Sequence, residues 1–166
     1  MRVVVQRVKR AGVQVNSEVV TAIGPGLLLY VGFGREDREP DLGWMAEKIA
    51  SLRIFEDEAG KMNRSIAEVG GQLLAVSQFT LYGDARKGRR PSFDAAAPAN
   101  EARALFEKFV DRFRACGLII STGRFQETMQ VESINDGPVT ILLESPAART
   151  PSGHLEPSHG SVSLRG

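Results

Sequence analysis

An α+β fold, with a curled mixed sheet and two main helices in a single domain, is what the sequence predicts, and three observations predict it. β-branched and apolar residues cluster in short runs between glycines and small polar residues through the first third, and again after Gly117. Only two segments, one beginning at Asp41 and one centred on Phe109, space their apolar residues as a helix does. The strand runs follow one another without a helix between each pair, which argues against a regular βαβ series, and no internal repeat is visible.

Taken in order, Val3 to Val8 reads as the first strand, because β-branched side chains suit a pleated surface. Val13 to Asn16 and Val19 to Ile23 flank Ser17-Glu18 and predict a hairpin; Gly24-Pro25-Gly26 then punctuates the chain before the apolar run Leu27 to Phe33. That run lacks polar alternation, so it predicts a central strand buried on both faces. From Asp41 onward, Leu42, Met45, Ile49 and Leu52 recur at spacings of three and four, one stripe of an amphipathic helix. Gln72 to Phe79 is the next strand, after the Gly70-Gly71 turn. Leu105, Phe109, Phe113 and Cys116, with Phe106 alongside, mark the second helix, and Gly117 is a natural stop because it enters the left-handed region without a Cβ clash. Leu118 to Thr122, Met129 to Ile134 and Val139 to Glu144 read as three closing strands. Residues 1–145 are therefore expected to form the domain. Residues 146–166, rich in Pro, Ser and Gly without apolar periodicity, are expected to be a flexible C-terminal tail in which His154 and His159 are solvated.

A chain of 166 residues suits one hydrophobic core. With 25% charged residues and a formal net charge of +1, a polyanion would have to meet a local patch rather than a global field. Cys116 is the only cysteine, so no internal disulfide forms, and both histidines fall in the tail, which leaves no Cys/His metal cluster for the body. No metal and no cofactor are expected. No stretch approaches the roughly 20 apolar residues that span a bilayer, and the N-terminus lacks a secretory pattern, so a cytoplasmic protein without a membrane partner is expected.

Three segments could carry chemistry. In Ser77-Gln78-Phe79-Thr80-Leu81-Tyr82 an apolar strand ends in hydroxyls and an amide, which either satisfy backbone groups at the strand end or meet a ligand. Thr80 as a nucleophile would need a base, and the body has no histidine to supply one. Asn135-Asp136-Gly137-Pro138-Val139-Thr140 reads as a turn between two strands, with either isomer of the Gly-Pro bond open. Arg86-Lys87-Gly88-Arg89-Arg90 places four cations in five residues, either as solvated surface or as a loop for phosphates.

Together these segments resemble the D-aminoacyl-tRNA deacylase family, from Met1 to about Glu144. The resemblance is carried by the opening Met1-Arg2-Val3-Val4-Val5-Gln6-Arg7-Val8, by Leu52 to Asp57 with Gly60-Lys61-Met62-Asn63, by Ser77-Gln78-Phe79-Thr80-Leu81, and by Asn135 to Thr140 with its Gly-Pro. It implies a curled, barrel-like homodimer that hydrolyses the ester between a D-amino acid, or mischarged glycine, and tRNA, with two active sites at the subunit interface. It further implies that Gly137-Pro138 is cis and reaches into the partner's pocket, that Arg7 holds this turn beside Asn135, and that Ser77, Gln78, Phe79 and Thr80 supply the catalytic pocket and its backbone N–H groups. Met129 would enclose the terminal adenosine of the tRNA, and Arg86, Lys87, Arg89 and Arg90 would meet its phosphates. Thr80 ranks first as a positioning residue and second as nucleophile, since the resemblance implies that the ribose 2′-hydroxyl assists the water. Two departures stand out: the tail runs past the point where the family fold is expected to close, and Gly83 stands where a less flexible residue is expected. Two other readings fit the same residues: a related deacylase of relaxed chirality, with a trans Gly-Pro bond and a roomier pocket for L-alanyl or glycyl esters, and a non-catalytic module that binds the tRNA end.

Overall fold

The computed structural model describes residues 1–146. Its spine is three strands, β1 (Arg2–Val15), β3 (Gly26–Gly32) and β6 (Gln72–Ser77). β3 pairs antiparallel with β1 and parallel with β6, so it lies at the centre, as its unbroken apolar run predicted. Alternation decides which face each residue serves. Leu27, Leu29 and Val31 of β3, with Leu73 and Ala75 of β6, face a core shared with the helices; Leu28, Leu74 and Val76 face a second core inside the curl of the sheet. β1 contributes to both, through Val3 and Val5 to the first and through Val8, Ala11 and Val13 to the second.

The remaining strands close the curl. β2 (Glu18–Ile23) pairs with the far end of β1, β7 (Ile120–Thr122) runs parallel to β6, and β8 (Gln130–Glu144) lies antiparallel along the length of β1. A separate small ladder joins β4 (Phe55–Glu56) to β5 (Met62–Arg64). The result is a nearly closed, barrel-like mixed sheet with two helices, α1 (Glu39–Ser51) and α2 (Ala99–Ala115), packed on one face.

Several expected boundaries shift for physical reasons. Val3 to Val8 and Val13 to Asn16 are not separate strands but parts of β1, because β8 offers partners along both and a register irregularity between Gln6 and Arg10 absorbs the break. The hairpin turn falls on Asn16-Ser17 rather than Ser17-Glu18: both residues have positive φ, 50° and 66°, as a two-residue turn with the right-handed twist requires. Met129 to Ile134 and Val139 to Glu144 merge into β8, so the Gly-Pro segment interrupts one strand instead of linking two. β6 stops at Ser77, two residues short of the expected Phe79, and a 3-10 turn (Phe79–Tyr82) follows. In α2 the buried stripe is Ala102, Phe106, Phe109, Val110 and Phe113, while Leu105 is half-buried and Cys116 exposed. Phe109 stands edge-on to Phe33 and to Phe113, with ring centroids at 6.4 and 5.0 Å. Apart from Pro146, the tail expected at 146–166 lies outside the described residues, as do His154 and His159.

Candidate active site

A cleft of about 750 Å³ opens where β6 leaves the sheet. Its floor is the end of the inner core: Val76, Met129 and Val131 belong to both. Ser77, Gln78 and Phe79 line one side, Phe93 and Ala96 to Ala99 a second, and Phe125 to Met129 a third. Phe79 is 56% exposed despite being aromatic, and it is held edge-on against Phe93 at 5.1 Å. Such a ring at a cleft mouth offers a face on which a planar base can stack.

The backbone at Gln78 is committed: its N–H donates to Val31 O at 2.7 Å, and its carbonyl accepts from Leu81 N–H. Phe79 and Thr80 open the 3-10 turn, so their N–H groups have no acceptor within it. Neither N–H has a backbone or side-chain acceptor outside the turn among the described residues. Of the four predicted catalytic residues, Ser77, Gln78 and Phe79 line the cleft, whereas Thr80 does not; its hydroxyl accepts from the side-chain amide of Gln78. Gly83 is not in a left-handed conformation; a Cβ there would stand 3.0 Å from Thr80 O and 3.1 Å from the Phe93 ring. Glycine at this position gives Phe93 room to reach the cleft.

The predicted binding residues Arg7, Asn135, Gly137 and Pro138 form a second cluster. Gln6 pairs with Thr140 and Val8 with Asn135, so Arg7 faces a four-residue excursion, Asp136 to Val139. Arg7 is only 6% exposed, the one buried charged residue among those described. Its Nη1 donates to Ile54 O and its Nε to Asp136 O at 3.2 Å, while the Asp136 carboxylate stands 3.0 Å from Nε and Glu56 3.8 Å from Nη2 as ion-pair partners. A buried guanidinium is tolerable only when so partnered. Asn135 Nδ2 ties the excursion at its base, donating to Arg7 O at 2.8 Å and to Val139 O at 3.2 Å. The Gly137–Pro138 peptide is cis, and both residues stand exposed. Neither they, Arg7 nor Asn135 line the cleft of the same chain, which Met129 does.

The basic loop follows the 3-10 turn directly, and an antiparallel bridge between Asp84 and Ser92 closes it. Here the predicted set divides. Arg86 is consumed by Asp84, with bonds of 2.9 and 2.6 Å, and that guanidinium holds the Asp84 carboxyl well below the usual carboxylate range. Lys87, Arg89 and Arg90 are exposed and form no ion pair among the described residues.

No neutral-pH base is offered by either tyrosine. Burial and the Asp37 carboxylate, which accepts from Tyr82 Oη at 3.3 Å, push the Tyr82 phenol far up, and burial raises that of Tyr30. Among the described residues no group of three His, Cys, Asp or Glu side chains could hold a metal ion, and no helix is long and apolar enough to cross a membrane. Sequence reasoning missed Arg35, Phe93, Phe125, Gln126 and Glu127 as cleft residues, and Ile54 and Glu56 as partners of Arg7. Their spacing carries no local pattern, although Ile54 and Glu56 lie in the Leu52 to Asp57 segment already singled out.

Relatives of known name share this arrangement's sequence and fold. The family described as D-Tyr-tRNA(Tyr) deacylase matches residues 4–144. A D-aminoacyl-tRNA deacylase of Symbiobacterium thermophilum is 61% identical over 145 residues, covering 87% of this chain and 96% of the relative. One of Myxococcus xanthus is 56% identical over 153 residues, covering 92% and 100%. Among solved structures, a c-Myc DNA unwinding element binding protein superposes with a TM-score of 0.84 at 44% identity, covering 89% of this chain and 100% of that one. A probable eukaryotic D-amino acid tRNA deacylase shares the fold, with a TM-score of 0.74 at 20% identity over 86% of this chain and 97% of its own. A match spanning nearly all the described residues, with relatives of this identity, places the chain in the D-Tyr-tRNA(Tyr) deacylase family.

Proposed function

We propose that this chain is a D-aminoacyl-tRNA deacylase, an ester hydrolase working in the cytoplasm, whose catalytic unit is residues 1–145. The terminal adenosine of the tRNA enters the cleft, its base against Phe79 and Met129. The N–H groups of Phe79 and Thr80 donate to the ester carbonyl oxygen and hold the charge that grows there as water attacks the carbonyl carbon. The ester C–O bond then breaks, and the ribose oxygen takes the proton. The adjacent 2′-hydroxyl relays that proton, a role consistent with two tyrosines that stay protonated at neutral pH. Neither a cofactor nor a metal enters these steps.

Handedness is judged by the Asp136–Val139 turn of a second copy. Its Gly137 and Pro138 carbonyl oxygens accept from the substrate's α-amino group, a D side chain points out to solvent, and an L side chain meets the backbone of the turn. Specificity of this kind comes from clash rather than attraction, so it tolerates many side chains and leaves glycine partly accepted. The single observation that carries the reading is the separation within one chain: acceptors stand on an exposed, clamped turn, donors line a cleft, and the two do not meet. A homodimer supplies the missing half of each site. β8 supports that assembly, since among the described residues it pairs only with β1, and it exposes Ile134 and Leu142, at 44% and 61%. Lys87, Arg89 and Arg90 contact tRNA phosphates beside the cleft.

Deacylation of matched D- and L-aminoacyl-tRNA pairs tests the proposal. Rapid release of D-tyrosine with the L-ester spared is expected; equal rates, or no release above buffer, would contradict it.

A further inference from the structure

We infer that Arg35 is the anion receptor of the cleft and takes the 5′-phosphodiester of the substrate's terminal adenosine. The inference rests on the cleft being the adenosine site and adds a contact that the motifs did not suggest. Arg35 lines the cleft, and two hydrogen bonds of its own and a bridge at the neighbouring residue fix it there. Gly34 is bridged antiparallel to Ala96, Arg35 N–H donates to Ala95 O at 3.2 Å, and Arg35 Nε donates to Asp94 O at 2.6 Å. With Nε tied, the guanidinium plane is set, while its two terminal nitrogens have no partner among the described residues.

The charge in the cleft points the same way. Among the described residues Glu127 is the only carboxylate lining it, and Glu127 stands 3.6 Å from Arg124. Arg35 is therefore the uncompensated charge among the described lining residues. The terminal nucleotide has one anion, the phosphodiester on its 5′ oxygen, on the side of the ribose away from the ester. Two non-bridging oxygens match the two terminal nitrogens of a guanidinium, and a pre-anchored fork loses less freedom on binding than a free one. Because the contact is remote from the reacting bond, it strengthens ground state and transition state alike and acts on KM.

The test compares two small substrates, 3′-O-D-tyrosyl-adenosine and the same nucleoside carrying a 5′-methylphosphodiester, with the full-length protein, Arg35→Ala, Arg35→Lys and Phe79→Ala. The phosphodiester should raise kcat/KM of the unaltered protein about tenfold, through KM, as a charge-assisted contact would. Arg35→Ala should lose that increment yet hydrolyse the plain nucleoside ester normally, and Arg35→Lys should keep part of it. The inference is overturned if Arg35→Ala retains the increment, or if it slows both substrates equally, which would mean that Arg35 only braces the Asp94 wall. Phe79→Ala separates the two layers. If it impairs both substrates while the phosphodiester effect survives Arg35→Ala, only the Arg35 contact fails; if it impairs neither, the cleft assignment falls and the Arg35 contact with it.

Discussion

The segment after Ser77 ends one strand of the sheet and the excursion at Asp136 to Val139 interrupts another, and the two are held in different ways and differ in chemistry. The first leaves a buried parallel strand, rests on the apolar inner core through Val76, and presents N–H donors at the start of a 3-10 turn. The second interrupts an edge strand, is clamped through its Asp136 and Val139 carbonyls by a buried guanidinium and an asparagine amide, and leaves Gly137 and Pro138 exposed, where the proposed function places the acceptors. Donors on a packed floor suit a charge that develops during reaction, because they need no reorganisation. Acceptors on a polar, clamped turn suit recognition of an amino group. The contrast teaches that two halves held apart in one chain can be completed by symmetry: in the proposed homodimer a two-fold axis would bring the turn of each copy to the cleft of the other.

The sharpest way to break this contrast is to remove a donor while sparing the turn. Phe79→Pro deletes one N–H at the first helical position, where proline's φ is tolerated. Turnover of D-tyrosyl-tRNA should fall about 10²–10³-fold, as for loss of one oxyanion donor, whereas Phe79→Ala, which keeps the N–H, should act mainly on KM. Equal losses of kcat in both variants would assign the effect to the ring. A middle-sized effect is expected from the loop beside the cleft: replacing Lys87, Arg89 and Arg90 together by Ala should lower the slope of log affinity against log salt by about 2 to 3 for tRNA, with Arg86 left on Asp84. An unchanged slope would make the loop bystander surface. The smallest effect is expected at Thr80, whose hydroxyl meets only Gln78. Thr80→Ala should keep kcat within about tenfold, the worth of one exposed hydrogen bond, while near-complete inactivation would restore the nucleophile reading.

Much of this was legible in the sequence where burial imposes periodicity. The run Leu27 to Phe33 announced a central strand because both faces of β3 are covered, and Leu42, Met45 and Ile49 announced α1 because one stripe meets the sheet. What was illegible depended on partners distant in the chain. The sequence reads separate strands ending at Val8 and beginning at Val13, but β8 supplies the ladder that joins them into β1. Ser77-Gln78-Phe79 and Met129 were recognisable as motif residues and do share a cleft. Phe93, Phe125 and Arg35 reach it only through tertiary placement, and no local spacing marks them. Arg86 illustrates the converse: a cation counted as free in the sequence is neutralised by Asp84 two residues earlier, a pairing the loop geometry creates.

Complementation between copies tests the shared site most directly. One chain carries Gly137→Leu, which places a side chain on the exposed turn, and the other carries Phe79→Pro; each should be inactive alone. Co-expressed, they should regain about a quarter of the activity of the unaltered protein, because half the dimers are mixed and each mixed dimer holds one site with an intact cleft and an intact turn. No recovery in mixed dimers verified by differential tagging would contradict the account, as would full activity of a monomer.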